Sequence, residues 1–293
     1  MDHQGRMRFQ DGETWYRVTG TAGLTPLVVL HGGPGATHDY CDRFRLLAET
    51  GRQVIHYDQF GCGQSSHRPD WGAERWTVQL FLDELDALLA HLGISSGYHL
   101  LGQSWGGMLA AEHAVRRPSG LKSLIIANSP ASMRTWVAEA NILRQALPPE
   151  VEATLLRHEA DNTTADPAYA AAVQVFYERH LCRVVPFPDD LQRSLKALEA
   201  DPTVYMTMNG PSEFHVIGTL KDWTIEDRLP QIAVPTLVYR GEFDEATSDC
   251  VRPYVERIPG AQSLVFAGCS HTPHIEATDA VMARLGAFLA LND

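Results

Sequence analysis

Residues 102–107 read Gly-Gln-Ser-Trp-Gly-Gly (GQSWGG), with the apolar YHLL of Tyr98 to Leu101 before them and MLAAEHAVRR, Met108 to Arg117, after them. The pattern predicts a strand, a tight turn and a helix that meet at Ser104. Gly-x-Ser-x-Gly in that setting is a nucleophile elbow, in which small residues let strand and helix approach closely and the serine is pushed outward. The same six residues also read as a glycine-rich bend between two pieces of core. What lies around them decides between the two.

Working outward, short apolar strands alternate with helices. TPLVVLHG (25–32), RQVIHYD (52–58), YHLLGQS (98–104) and LKSLIIANSP (121–130) read as buried strands, with a helix expected over 38–50. WTVQLFLDELDALLAHLG, 76–93, carries Val78, Leu82, Leu85, Leu88, Leu89 and Leu92 at the spacing of an amphipathic helix that ends at Gly93. Such alternation means a mostly parallel sheet covered on both faces. Ahead of it, residues 7–30 suggest antiparallel strands: MRFQ, a turn at Asp11-Gly12, TWYRVTG, then PLVVLHG.

The rhythm stops near Pro130. From 131 to about 229 the chain reads as helices (TWVAEANILRQAL, PEVEATLLRHEA, PAYAAAVQVFYERHL, DDLQRSLKALEA) punctuated by Pro148-Pro149, Pro167, Pro186 and Pro188. It resumes with VPTLVYRGEFD (234–244), a helix, AQSLVFAGCSH (261–271) and a final helix near 276–290. The expected architecture is an α/β core from residues 1–130 and 230–293 with a helical insertion, 131–229, that caps it.

Composition bounds the function. The 293 residues are 44% apolar and carry a net charge of −12, from 24 Lys and Arg against 36 Asp and Glu. No basic cluster stands out, so nucleic acid is not an expected partner. No apolar run approaches the roughly 20 residues that cross a bilayer, and MDHQGRMRFQ lacks the layout of a signal peptide. Cys41, Cys62, Cys182, Cys250 and Cys269 are odd in number, scattered and without a CxxC pair, which argues for free thiols in a cytoplasmic enzyme. Cys269 reads as a half-buried filler. No HExxH or equivalent cluster asks for a metal, and no cofactor is expected.

A serine nucleophile needs a general base, and the base an orienting carboxylate. Reactive groups of an open parallel sheet gather at the carboxyl ends of its strands. Asp244 follows TLVYRGEF and His271 follows SLVFAGCS, which with Ser104 gives the chain order Ser, Asp, His of the α/β-hydrolase fold. Asp244 also reads as a helix cap, and Asp249 competes with it from inside the next helix; His274 competes with His271. Position directly after the strand end favours Asp244 and His271. The other histidines, apart from His31 and His56 at strand ends, read as surface or helix residues. HGGPG, His31 to Gly35, resembles the glycine loop that supplies an oxyanion donor, so the backbone N–H groups of Gly33 and Trp105 are the expected donors.

With those residues in place, HGGPG, YDQFGCGQSS (57–66), GQSWGG, GEFDEAT and CSH together resemble the proline iminopeptidases and their tricorn-interacting-factor relatives. MNGPSEF (208–214) and GTLKDW (218–223) extend the likeness through the helical insertion, so it covers nearly the whole chain. The resemblance implies an α/β-hydrolase core with a helical cap, and release of a single N-terminal residue from small peptides, arylamides or amino-acid amides. It also implies that Glu213 and Glu245 hold the free amino group of the substrate. Read without it, both are plain loop carboxylates. Trp136, Phe176, Tyr205 and Met206 are expected near the side-chain pocket, although such residues at helical spacing are more often core. The competing readings are a tailoring hydrolase that removes an aminoacyl group from a larger metabolite, an esterase or lactonase with the same triad, and a non-catalytic binding module.

Overall fold

The computed structural model describes residues 2–293. Met1, the first residue of the expected core segment, lies outside the described residues. β1 (His3–Phe9) and β2 (Gly12–Thr19) form an antiparallel hairpin across the Asp11-Gly12 turn. β2 then pairs antiparallel with β4 (Arg52–Tyr57). From there the sheet is parallel: β3 (Leu24–Leu30), β5 (Tyr98–Gln103), β6 (Leu121–Ala127), β7 (Thr236–Gly241) and β8 (Gln262–Phe266), in the order β1-β2-β4-β3-β5-β6-β7-β8. β3 departs from the antiparallel opening expected for 7–30, because the segment 38–50 carries the chain back and lets β4 run alongside it in parallel. That segment is a run of 3-10 turns, capped by the Thr37 side chain and stopped by Gly51 in the left-handed region at φ 93°.

The helices form because their apolar faces match the sheet. α1 (Val78–His91) starts at Thr77, whose hydroxyl accepts from Leu80 N–H at 3.2 Å, and the chain leaves it through Gly93 at φ 69°. Leu85 and Leu88 on its inner face are fully buried, and each contributes about 1.5–3 kcal/mol of transfer free energy. α2 (Trp105–Val115) is buried along its whole length, which no amphipathic pattern would announce. α8 (Ser248–Arg257) packs on the face shared with α1 and α2; α9 (Thr278–Ala290) and the 38–50 turns pack on the other.

Between β6 and β7 come α3 (Met133–Gln145), α4 (Pro149–Ala160), α5 (Pro167–His180), α6 (Asp189–Ala200) and α7 (Thr203–Met208). Pro149 and Pro167 open their helices, where a missing N–H costs nothing. Leu155, Tyr169, Phe176 and Phe214 belong to an apolar cluster that this stretch keeps to itself. α6 also docks on the core: Asp190 pairs with Arg43 at 2.8 Å, and Ser194 Oγ accepts from Thr37 N–H at 3.0 Å. The candidate site residues lie where β3, β5, β6, β7 and β8 end beneath these helices.

Candidate active site

Ser104 occupies the turn between β5 and α2 at φ 57° and ψ −124°, a region that non-glycine residues visit at a cost of about 1–3 kcal/mol. Its N–H donates to Ala127 O at 2.8 Å, which locks the turn to β6. The neighbouring glycines are obligatory: a Cβ on Gly102 would lie 2.0 Å from the Gly106 carbonyl oxygen, and one on Gly106 2.1 Å from that of Leu30. The bend is therefore an elbow with its serine facing the cavity above the sheet.

Asp244 and His271 meet at the ends of β7 and β8. His271 Nδ1 lies 2.7 Å from Asp244 Oδ1, and both residues are buried. With Nδ1–H donating to the carboxylate, Nε2 carries the lone pair, and the ring lines the same cavity as Ser104. Among the described residues no hydrogen bond joins the serine hydroxyl to that ring. The carboxylate is held twice more, by Ala246 N–H at 2.8 Å and by Asn128 Nδ2 at 2.5 Å. Asn128 escaped the sequence reading, although its place directly after β6 is the same signal that found Asp244. The competitors sit elsewhere: Asp249 pairs with Arg252 in α8, and His274 Nε2 bonds the Tyr40 carbonyl.

The HGGPG loop leaves β3 beside the elbow, with Gly33 at φ 111°. The N–H groups of Gly33 and Trp105 donate to no acceptor among the described residues. Two free donors beside Ser104 are what a developing oxyanion needs. The Trp105 indole is spent elsewhere: Nε1 donates to Gln59 Oε1 at 2.8 Å, while Gln59 Nε2 donates to the His31 carbonyl at 2.8 Å. Gln59, also not foreseen, thus clamps the loop to the residue after the serine.

Glu213 and Glu245 come to the same cavity, of about 280 Å³, from opposite parts of the chain. Glu213 Oε1 accepts from the Tyr205 hydroxyl at 2.6 Å, and its backbone carbonyl accepts from Trp136 Nε1 at 2.6 Å. Glu245 is 1% exposed; its Oε1 lies 3.7 Å from His271 Nε2, and its Oε2 has no hydrogen-bond partner among the described residues. Burial pushes the Glu245 carboxyl well above the ordinary range, and repulsion from Glu213 and Asp244 adds to the push. Glu213 is also raised by burial, but the Tyr205 hydroxyl and His271 pull it back. Among the described residues no Lys or Arg lines the cavity, so His271 is the one basic side chain near these groups.

Some expectations need correction. Tyr205 lines the cavity and Trp136 stands 6.0 Å from the His271 ring, but Phe176 is buried in the helical cluster against Phe214 and Met206 is 46% exposed. Tyr177, one residue beyond Phe176, is the one that reaches the cavity. Cys269 is buried, not half-buried, and all five thiols are free. His99 is buried in β5 and bonded to Ser123, neither a surface nor a helix residue; His38, His113 and His158 do lie in helical segments, where they are buried and bonded.

The α/β hydrolase fold family model matches residues 25–278. A proline iminopeptidase of Thermoplasma volcanium is 37% identical over 266 residues, covering 91% of this chain and 89% of that protein. The chain belongs to the proline iminopeptidase family. A crystal structure of the proline iminopeptidase from Mycobacterium smegmatis superposes with a TM-score of 0.92 at 53% identity, covering 99% of this chain and 98% of that one. The crystal structure of a protein named VinJ superposes with a TM-score of 0.98 at 50% identity, covering 99% of both chains.

Proposed function

We propose that this protein is a serine aminopeptidase that cleaves the amide bond after a single N-terminal residue of small peptides, arylamides or amino-acid amides. The observation that carries the reading is a buried carboxylate, Glu245, and a half-buried one, Glu213, on the same cavity as Ser104, with no Lys or Arg among the described residues that line it. An ammonium offers up to three donors, and each charge-assisted bond contributes about 1.5–3 kcal/mol. Two acceptors fixed relative to the nucleophile leave room for one residue between the amine and the cleaved bond. The chain segments 1–130 and 230–293 act as the core and 131–229 as a cap whose helices wall the cavity. Among the described residues no helix is long and apolar enough to cross a membrane. A cytoplasmic site of action is part of the proposal, supported by five unpaired cysteines.

In this mechanism Ser104 Oγ attacks the carbonyl while His271 Nε2 takes its proton and Asp244 holds the imidazole. The oxyanion is received by the N–H groups of Gly33 and Trp105. His271 then protonates the departing amine, and water hydrolyses the aminoacyl ester on Ser104 with the same base. Alanyl- and prolyl-arylamides should be cleaved with release of the free amino acid. Release of an intact dipeptide from a dipeptidyl-arylamide at a comparable rate would contradict the single-residue limit.

A further inference from the structure

Tyr40 and Gln103 belong to neither the acid–base pair nor the amine site, yet they touch all three parts of the reaction centre. The Tyr40 hydroxyl accepts from Gly32 N–H at 2.6 Å and donates to Gln103 Oε1. Gln103 Nε2 in turn donates to the His271 carbonyl at 3.0 Å. One phenol and one carboxamide therefore connect the glycine loop after β3, the strand end that carries Ser104 and the segment that carries the base.

The connection acts on the peptide that matters. Gly32 is gripped at both ends: its N–H by Tyr40, and its carbonyl by His31 Nδ1 at 2.9 Å. His31 Nδ1 is free to donate because Nε2 accepts from Gln59 N–H at 3.0 Å. With those two groups engaged, the adjoining Gly33 N–H is the donor left over. Gly32 is also pressed onto the hub, since a Cβ there would lie 2.5 Å from the Tyr40 hydroxyl and 2.8 Å from Ser104 Cβ. Burial keeps the phenol in its neutral form, able to donate and accept at once.

We propose that Tyr40 and Gln103 are positioning residues: their bridge sets the Gly33 oxyanion donor in register with Ser104 and His271. The proposal rests on the roles of Ser104, His271 and Gly33 given above. A displacement near 1 Å at such a donor is enough to slow a reaction by up to about a hundredfold.

The test compares Tyr40→Phe, Gln103→Met and the double variant with the parent enzyme on an aminoacyl arylamide. Tyr40→Phe should lower kcat about tenfold with KM within about twofold, a partial loss of one oxyanion donor. Affinity for an α-aminoboronic acid, which forms a tetrahedral adduct, should fall by the same factor, while affinity for the free amino-acid product stays unchanged. A packing defect would not separate those two ligands. If the bridge is one unit, the double variant is no slower than the slower single. Unchanged kcat and boronate affinity in Tyr40→Phe, equal losses for boronate and product, or effects that multiply would each overturn the proposal. If Gln103→Met does not fold, the boronate-to-product comparison in Tyr40→Phe still decides. Ser104→Ala separates the two levels of inference: a kcat loss there well short of about 10⁴-fold removes the underlying mechanism, whereas a loss of that size beside a fully active Tyr40→Phe removes the bridge alone.

Discussion

The strand-end site and the helical stretch above it make different kinds of contribution. Ser104, Asp244 and His271 are held at strand ends of the sheet: a strained elbow, glycines that admit no Cβ, and a carboxylate with three donors around it, one backbone and two side-chain. Glu213 is held by side chains, through the Tyr205 hydroxyl and the Trp136 indole near its backbone. In the proposed mechanism the first region breaks the acyl bond of any substrate that reaches it, and the second chooses which substrate does. Substitutions in the two regions should therefore fail differently.

The largest effect belongs to the first region. Ser104→Ala should lower kcat by at least about 10⁴-fold on every substrate, with the fold kept, as judged by its thermal midpoint. Ester and amide substrates should suffer alike. A variant that still turns over esters would break the contrast from the core side.

Glu245→Gln and Glu213→Gln come next, with a selective loss. Each should reduce kcat/KM for free-amine substrates by about 10- to 150-fold, the equivalent of one charge-assisted hydrogen bond, and barely touch substrates without an amine. An equal loss on both classes would move these carboxylates from recognition into the chemical step. Asn128→Ala should be milder, about tenfold in kcat, because Asp244 keeps the Ala246 N–H and the imidazole but loses one donor.

The smallest effect is a pH dependence confined to the amine site. A carboxyl raised by burial and by its neighbours holds its proton to higher pH, so the ammonium is bound well only above that point. KM for free-amine substrates should fall as pH rises through the raised values, until the substrate amine itself deprotonates near pH 8. For stability the sign is opposite. The folded state binds more protons than the unfolded chain, so the stability these groups contribute is fully present below the ordinary glutamate range. It is lost as pH rises through the raised values. Glu245→Gln should flatten both profiles, measured as KM and as thermal midpoint against pH.

Legibility in the sequence follows the same division. The strands, the elbow and the Ser-Asp-His order depend on local rules of size and period, so residues 98–117, 234–244 and 261–271 announce them. Glu213 depends on partners brought from α3 and α7, and in isolation it reads as a solvated loop residue; only the family likeness in MNGPSEF singles it out. Asn128, Gln59, Tyr40 and Gln103 escaped for a related reason, since each acquires its role from groups far away in sequence. The pocket residues show how sharp that limit is. One residue along a helix turns a side chain by about 100°, which takes Tyr177 into the cavity and Phe176 out of it, and Tyr205 in and Met206 out.

The central claim is that two cavity carboxylates, buried Glu245 and half-buried Glu213, select the substrate of an otherwise general hydrolase. The most direct measurement is the ratio of kcat/KM for an aminoacyl arylamide to that for its N-acetylated form. It should exceed about 10² in the parent enzyme and collapse by at least about tenfold in Glu213→Gln or Glu245→Gln, in line with charge-assisted bonds lost. Equal rates on the free and acetylated substrates in the parent enzyme would contradict the account.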